Sequence, residues 1–358
     1  MMLIVVAGCD RSTETPAPQP SPTRAHPTKP PVERFTIAAS GDILIHAPVA
    51  IAAAGYSAGT TLGYDFRPMF REVKPILSRA ELAICHLETP LSLDGGTEPY
   101  PRLEAPGELA TALDSAGYEA CSTASNHSFD QSTEGVASTI TALREAGIRS
   151  YGTATRPRRP TAMVEVRGAR IGLLSYTYWI NGLVLPEGEG HLVNIIDEKR
   201  ILRDAARARK DGAEFTVLSL HWGTEYQHEP TEEQQAMARR LLRSPDIDLI
   251  LGHHAHVMQP IERVGDEYVV YGMGNFLSNQ SADCCLLETQ DGVIVTIHVV
   301  VRGRRIKVER IEYTPTWVDR SAGFTIVPLL ERARAKDPLL QASFDRTASY
   351  IEGSSNVR

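Results

Sequence analysis

Residues 248–262 read DLILGHHAHVMQPIE. An apolar run, Leu249-Ile250-Leu251, meets a glycine and then three histidines within four positions, His253, His254 and His256. The whole chain has 11 histidines, so this crowding needs a reason. A short apolar run closed by glycine reads as a buried strand. The imidazoles beyond it are either polar turn residues or ligands, since neutral imidazole is the commonest protein metal ligand. In open α/β sheets, sites form outside the carboxyl ends of the strands, so the other strand ends decide between the two readings.

Working outward, RFTIAASGD (34–42), LAICHLE (82–88), ACSTASNH (120–127), RIGLLSYTY (170–178) and EFTVLSLHWG (214–223) all read as strands. Helical patterns lie between them. Residues 65–81 place Phe66, Met69, Phe70, Val73, Ile76 and Leu77 on one face. Further helices are predicted at 106–117, 133–147 and 197–212, and Thr231 with Gln234 forms a capping box for the one after residue 231. Alternating strands and helices predict an α/β fold with mostly parallel sheet. From residue 261 the pattern becomes antiparallel, with one hairpin turning at Gly265-Asp266 and another near Arg302–Arg304. A helical stretch over roughly 327–351 closes the chain.

Five of these strands end in Asp42, in Glu88, in Asn126-His127, in His221, and in His254 with His256. Any one of them alone is explained by a helix cap or a core histidine. Five together point to a site. Carboxylates, an amide oxygen and imidazoles suit Mn, Fe or Zn better than a soft thiolate site would. Two such ions about 3.5–4 Å apart can clamp a phosphoryl group and acidify water. The sequence contains no GxSxG, P-loop, GxGxxG or HExxH pattern, so those chemistries have no support.

The net charge of -7 gives no basic field to attract nucleic acid, and no nucleic-acid partner is expected. None of the five cysteines shows zinc-finger spacing. Cys85 and Cys121 sit in apolar runs and read as small buried thiols. Cys284 and Cys285 are candidates for disulfide bonding if the chain is exported, with the connectivity open. At the N-terminus, Val6-Ala7-Gly8-Cys9 resembles a bacterial lipobox, with Cys9 as the lipidated residue. Residues 10–33 then carry seven prolines between Pro16 and Pro31, the composition of an extended tether. Signal and tether in that order predict an extracytoplasmic lipoprotein anchored to the membrane by its lipid. The expected division is 1–9 signal, 10–33 tether, 34–325 folded domain, and 326–358 C-terminal helical extension and tail.

The segments GDILIH (41–46), HLETPLS (86–92), ASNHSFD (124–130), LHWGTEY (220–226), LGHHAHVMQPIE (251–262) and YGMGNFLSNQ (271–280) resemble the CapA family of capsule (poly-γ-glutamate) synthesis proteins, a branch of the calcineurin-like metallophosphoesterases. The resemblance implies a four-layer α/β/β/α sandwich. It implies that Asp42, Glu88, Asn126, His221, His254 and His256 hold one or two divalent ions (Mn, Fe or Zn), with Glu88 bridging. His127 would stand beside the substrate, and Asp130 would orient its imidazole. His46, His86, His253 and Asn275 are read as neighbours of that set.

The chain departs from the wider pattern at Leu44, where a second metal-binding histidine is usual, and His46 is the residue that can swing in. His86, Ser125 and Asn279 also differ from the family's common residues. The implied partners are an anionic polymer or phosphoester substrate and a capsule-synthesis membrane complex. The expected function is a phosphoesterase-type hydrolase in capsule or poly-γ-glutamate synthesis or export. The alternatives are a general extracytoplasmic phosphoesterase and a non-catalytic assembly component.

Overall fold

The computed structural model describes residues 33–157, 161–303, 305–335 and 337–352. The signal segment with Cys9, and the tether up to residue 32, lie outside the described residues. The first part of the chain supplies β1 (Glu33–Ile43), β2 (Leu82–Leu87), a two-residue pair β3 (Leu91–Ser92) and β4 (Ala105–Pro106), β5 (Ala120–Ser122) and β6 (Arg149–Tyr151). The middle supplies β7 (Ala162–Val166), β8 (Ala169–Thr177), β9 (Phe215–His221), β10 (Leu249–His253), β11 (Ile261–Val264) and β12 (Glu267–Val270). The last part adds β13 (Asn275–Leu277), β14 (Asp291–Arg302), β15 (Arg305–Asp319) and β16 (Thr325–Pro328).

These strands make two large sheets. One runs β16-β15-β14-β1-β2-β5-β6, with β13 also pairing with β1, and the other runs β11-β12-β10-β9-β8-β7. The pairs β1–β2, β2–β5, β8–β9 and β9–β10 are parallel, whereas β14–β15 and β11–β12 are the expected antiparallel hairpins.

Side-chain alternation along each strand explains the layers. On β1, Ile37 and Ala39 face the other sheet and meet Ile171, Phe215, Val217, Leu249 and Leu251. Ala38, between them, faces the opposite way into a cluster with Phe66, Met69, Phe70, Leu109 and Leu113 from the helical segments. On β10, Ile250 likewise turns away from its neighbours and packs with Ile201, Ala205, Ala238 and Leu241. Strands buried on both faces read as continuous apolar runs for this reason. The result is helices, sheet, sheet, helices: the expected four-layer sandwich.

Four local features differ from expectation. Residues 65–81 form two short helices, Arg67–Phe70 and Lys74–Leu77. Pro75 has no N–H, and its ring crowds the carbonyl four residues back, which breaks the turn between them. The apolar face is buried all the same, with Ile76 only partly so. The strand expected over 120–127 stops at Ser122, because the Ser128 hydroxyl bonds Thr123 O and Ser125 O and accepts from Ser125 N–H. Those side-chain bonds close a tight turn in place of a ladder. The stretch after residue 325 starts as β16, and the helix Pro338–Glu352 follows, with Ile351 buried in the cluster between the sheets.

The fourth difference is the cysteines. Cys85 and Cys121 are not free thiols: they are register partners on β2 and β5, 4.5 Å apart at Cα, and are disulfide-bonded. Among the described residues, Cys284 and Cys285 are free. Strand pairing brought the first two side by side, which sequence spacing alone did not show. Among the described residues, no helix is long and apolar enough to cross a membrane.

Candidate metal centre

Each sheet brings its strand ends to one place. Asp42 is the penultimate residue of β1. Gly41 precedes it because the chain entering β13 passes so close that any Cβ would collide with Gly274 O. That approach also lets Asp42 N–H donate to Gly274 O at 2.9 Å. The Asp42 carboxylate reaches across to the other sheet. Its Oδ1 lies 3.0 Å from His253 Nδ1, and its Oδ2 accepts the His254 backbone N–H at 3.0 Å and lies 3.3 Å from His256 Nδ1. Burial pushes the Asp42 carboxyl up, but hydrogen bonds from His253 and His256 outweigh it and hold it well below the usual range.

Beyond β10 the chain turns sharply, with His254 at φ 90° and His256 at φ 56°. Both are in the left-handed region that non-glycine residues rarely adopt, and such strain collects at functional sites. The turn points both imidazoles back between the sheets. His256 Nδ1 lies 3.0 Å from Asn275 Oδ1 on β13. Although burial opposes it, Glu88 and Asp42 push the His256 imidazole up to about 9. His254 is pushed down to about 3 by burial, with His256 adding to the effect.

Glu88 follows β2, and its side chain is fully buried. Its Oε1 lies 3.8 Å from His221 Nε2 and 4.0 Å from His256 Nε2, both beyond hydrogen-bond range. Neither Glu88 oxygen has a hydrogen-bond partner, and neither has His254 Nδ1. Burial pushes the Glu88 carboxyl well up. His221 ends β9, with Nε2 2.9 Å from Asn126 Oδ1 and Nδ1 3.0 Å from His86 Nε2. His86 is anchored by Ser122 Oγ at 2.7 Å and stacks on His253 with ring centroids 3.9 Å apart. Burial, then the neighbouring imidazoles, holds both His86 and His221 well below the ordinary value.

The turn after β5 presents Asn126 and His127. His127 Nδ1 lies 2.6 Å from Asp130 Oδ2, which also accepts the Leu103 N–H at 2.8 Å. That pairing fixes the ring and leaves Nε2 as its outward atom. Asn126 Nδ2 donates to Asn181 Oδ1 at 3.2 Å, which directs the Asn126 oxygen toward His221.

Asp42, Glu88, Asn126, His221, His254 and His256 are therefore gathered from both sheets, with His127 and Asp130 alongside. His86 and His253, read from the sequence only as neighbours, have donor atoms inside the same clusters: Asp42–His86–His253, His86–Glu88–His221 and Glu88–His254–His256 each converge within 4.8 Å. Asn275 bonds His256, as expected of a neighbour. His46 belongs to none of those groups. Its Nδ1 lies 3.4 Å from the Asn279 N–H, and burial, with His256 and His127, pushes it down to about 4. Asn181 was not singled out from the sequence, although Asn181-Gly182 is a turn dipeptide and both residues have positive φ.

The donor set fits a divalent ion. A buried carboxylate with two orphan oxygens beside an orphan imidazole nitrogen is costly unless something positive satisfies them. Hard and borderline donors of this kind suit Mn, Fe or Zn.

A family model described as bacterial capsule synthesis protein PGA_cap matches residues 36–280, more than half of the chain. The capsule biosynthesis protein CapA of Bacillus anthracis is 27% identical over 76% of this chain. The PGA biosynthesis protein CapA of Bacillus subtilis is 23% identical over 69%. This chain spans 66% and 64% of those two proteins' own lengths, just under two thirds. Among solved structures, the calcineurin-like phosphoesterase YfkN of Bacillus subtilis is similar, with TM-score 0.48 and 13% identity, covering 89% of this chain and 99% of that one.

Proposed function

The chain belongs to the PGA_cap family of bacterial capsule synthesis proteins, and from that premise we propose that it is a metal-dependent hydrolase of the phosphoesterase type acting in capsule or poly-γ-glutamate synthesis or export. The observation that carries the reading is Glu88: a buried carboxylate with two unpartnered oxygens, facing histidines from the opposite sheet. Asp42, Glu88, Asn126, His221, His254 and His256 would hold one or two divalent ions, with Glu88 shared. Such ions, when bound, supply positive charge toward phosphoryl oxygens and acidify water.

The remaining work falls to side chains. Asp130 holds His127 with Nδ1 committed, so Nε2 carries or receives the proton at a substrate oxygen. Asn181 keeps the Asn126 amide oxygen turned inward. The proposed substrate is a phosphoester or an anionic polymer. Lipidation at Cys9, supported by the lipobox resemblance and the proline-rich stretch after it, would place the domain outside the cytoplasm at the membrane, beside a capsule-synthesis complex.

The test is an elemental count of metal per chain, beside a His254→Ala/His256→Ala double variant, followed by a phosphomonoester and phosphodiester panel with His127→Ala. Metal in the wild type alone, with cleavage that His127→Ala abolishes, supports the proposal. Metal without any cleavage, together with altered surface polymer on deletion, would favour the assembly-component reading. No metal after Mn, Fe and Zn loading would end the hydrolase reading.

A further inference from the structure

Two free cysteines, Cys284 and Cys285, are linked to this centre by hydrogen bonds without joining it. Cys284 and Cys285 occupy one tight turn, with both backbone N–H groups donating to Ser281 O, at 3.2 and 2.9 Å. Their sulfurs are 2.7 Å apart. Cys284 is exposed and Cys285 is half-buried. A run of hydrogen bonds leads inward from Cys285. The Tyr226 hydroxyl donates to Cys285 Sγ at 3.6 Å, and Gln280 Nε2 donates to the Tyr226 oxygen at 3.3 Å. Asn275 Nδ2 donates to Gln280 Oε1 at 2.9 Å, and Asn275 Oδ1 lies 3.0 Å from His256 Nδ1. Tyr226 cannot move freely: its backbone is at φ 64°, and its N–H donates to Ala255 O at 2.8 Å, inside the histidine turn.

We propose that Cys284-Cys285 is a reversible thiol-modification site, oxidised to a vicinal disulfide by exchange with a disulfide-bearing molecule, and that its state is transmitted to His256 through Tyr226, Gln280 and Asn275. The chemical half stands apart from the metal reading, whereas the consequence for metal affinity rests on it.

Exposed Cys284, as thiolate, attacks one sulfur of the reagent and forms a mixed disulfide, expelling one reagent thiolate that takes up a proton. Cys285 then gives its proton to water and attacks the Cys284 sulfur, expelling the second reagent thiol. One reagent disulfide is reduced to two thiols as two cysteine thiols become one disulfide. Burial, with Cys284 beside it, pushes the Cys285 thiol up to about 11, so it stays protonated while exposed Cys284 makes the first attack, and its 2.7 Å separation from the Cys284 sulfur is what favours the second step.

Neighbouring Cα atoms lie about 3.8 Å apart, whereas disulfides prefer roughly 4.4–6.8 Å. The vicinal ring is therefore strained and exposed, the labile class of disulfide. Closing it removes the half-buried thiol that receives the Tyr226 proton, and the run toward His256 rearranges.

The experiment uses the full chain, reduced and then equilibrated with oxidised glutathione. Mass spectrometry reads the tryptic peptide 264–302, which contains both cysteines. The expected product is that peptide lighter by two hydrogens, regenerated by reduced glutathione before the buried Cys85–Cys121 bond opens. Cys285→Ser should stop at a stable glutathione adduct on Cys284. Histidine-labelled NMR then reads the His256 ring with no ion present, and Mn binding is measured in both states. A shifted His256 signal and Mn affinity weakened about tenfold, the low end for losing an outer-shell partner, support the proposal, provided the Cys284→Ser/Cys285→Ser variant shows neither. A shifted signal in a protein that binds no Mn in either state keeps the thiol switch and defeats the metal reading. A stable adduct or intermolecular dimer in the wild type overturns the modification. A closed disulfide with an unmoved His256 signal overturns the transmission.

Discussion

Replacing Glu88 with glutamine should change stability in opposite directions with and without metal. In the metal-free protein Glu88 is buried, its oxygens have no partner, and burial raises its carboxyl well above the usual range. A raised folded-state carboxyl is stabilising to lose at neutral pH: its contribution is intact below the unfolded value and is lost as pH rises toward the folded one. At pH 7 that loss is capped by the cost of protonating an ordinary glutamate of pKa about 4.3, at about 1.4 kcal/mol per unit, or under about 4 kcal/mol. Glutamine should recover about 1–3 kcal/mol of it.

Unfolding entropy of about 2.1 cal/mol/K per residue, over roughly 320 folded residues, makes 1 kcal/mol worth ~1.5 °C. Metal-free Glu88→Gln should therefore melt about 1.5–4.5 °C above wild type. Conversely, one ion at a thousand times its Kd stabilises wild type by about 4.1 kcal/mol, or roughly 6 °C, and the variant should lose most of that gain. Differential scanning calorimetry with EDTA and with Mn measures both. A variant that melts lower when metal-free, or that keeps the wild-type metal shift, would refute the reading of Glu88 as an unsatisfied ligand.

Other consequences can be measured alongside. His127→Ala should lower kcat by about 10²–10⁴-fold while leaving metal content unchanged, and Asp130→Asn should fall between that and wild type; a full-rate His127→Ala enzyme removes the proton-transfer role. Asn181→Ala frees the Asn126 amide to rotate and should weaken metal affinity by roughly 10–100-fold, as read by competition with a chelating dye; unchanged affinity would leave Asn181 a loop residue. The buried histidines set the acid limit of the metal-free protein. Burial depresses His46 to about 4, His254 to about 3, and His86 and His221 well below normal. Groups held neutral in this way favour the folded state above their unfolded value of about 6.5, and that advantage is lost as pH falls below it. Raised carboxyls at Glu88, Asp248, Asp291 and Glu267 work the other way over the same window, so urea titrations should compare wild type with His46→Gln: wild-type stability should fall more steeply from about pH 6.5 to 5, and parallel profiles contradict a His46 held neutral.

The strand ends were the most legible part of the chain. Asp42, Glu88, Asn126, His221, His254 and His256 could be found because parallel strands deliver their carboxyl ends to one edge, so order along the chain becomes proximity. The apolar run Leu249-Ile250-Leu251 marked β10 as a strand, but that β1 and β10 are buried on both faces came from the packing of the layers. What depended on neighbours across the sheet was hidden. Cys85 and Cys121 meet only through the β2–β5 register. His86 and His253 enter the cluster because their rings stack between the two sheets. The apolar face of residues 65–81 was legible and survives in the structure, whereas the break that Pro75 makes in that helix was not read from the sequence. Asn181 carried the Asn-Gly turn signal, yet nothing in sequence placed that turn beside Asn126.

Asp42 and His253 touch across 211 residues of chain, one from each sheet. Their contact cannot exist until β1 and β10 have been brought together from the two sheets, so capture of a metal between them would come only after the sheets meet. Whichever compartment sees the two sheets come together would then also choose the ion, by what it contains at that moment. The same ligands, folded in a different place, would carry a different metal.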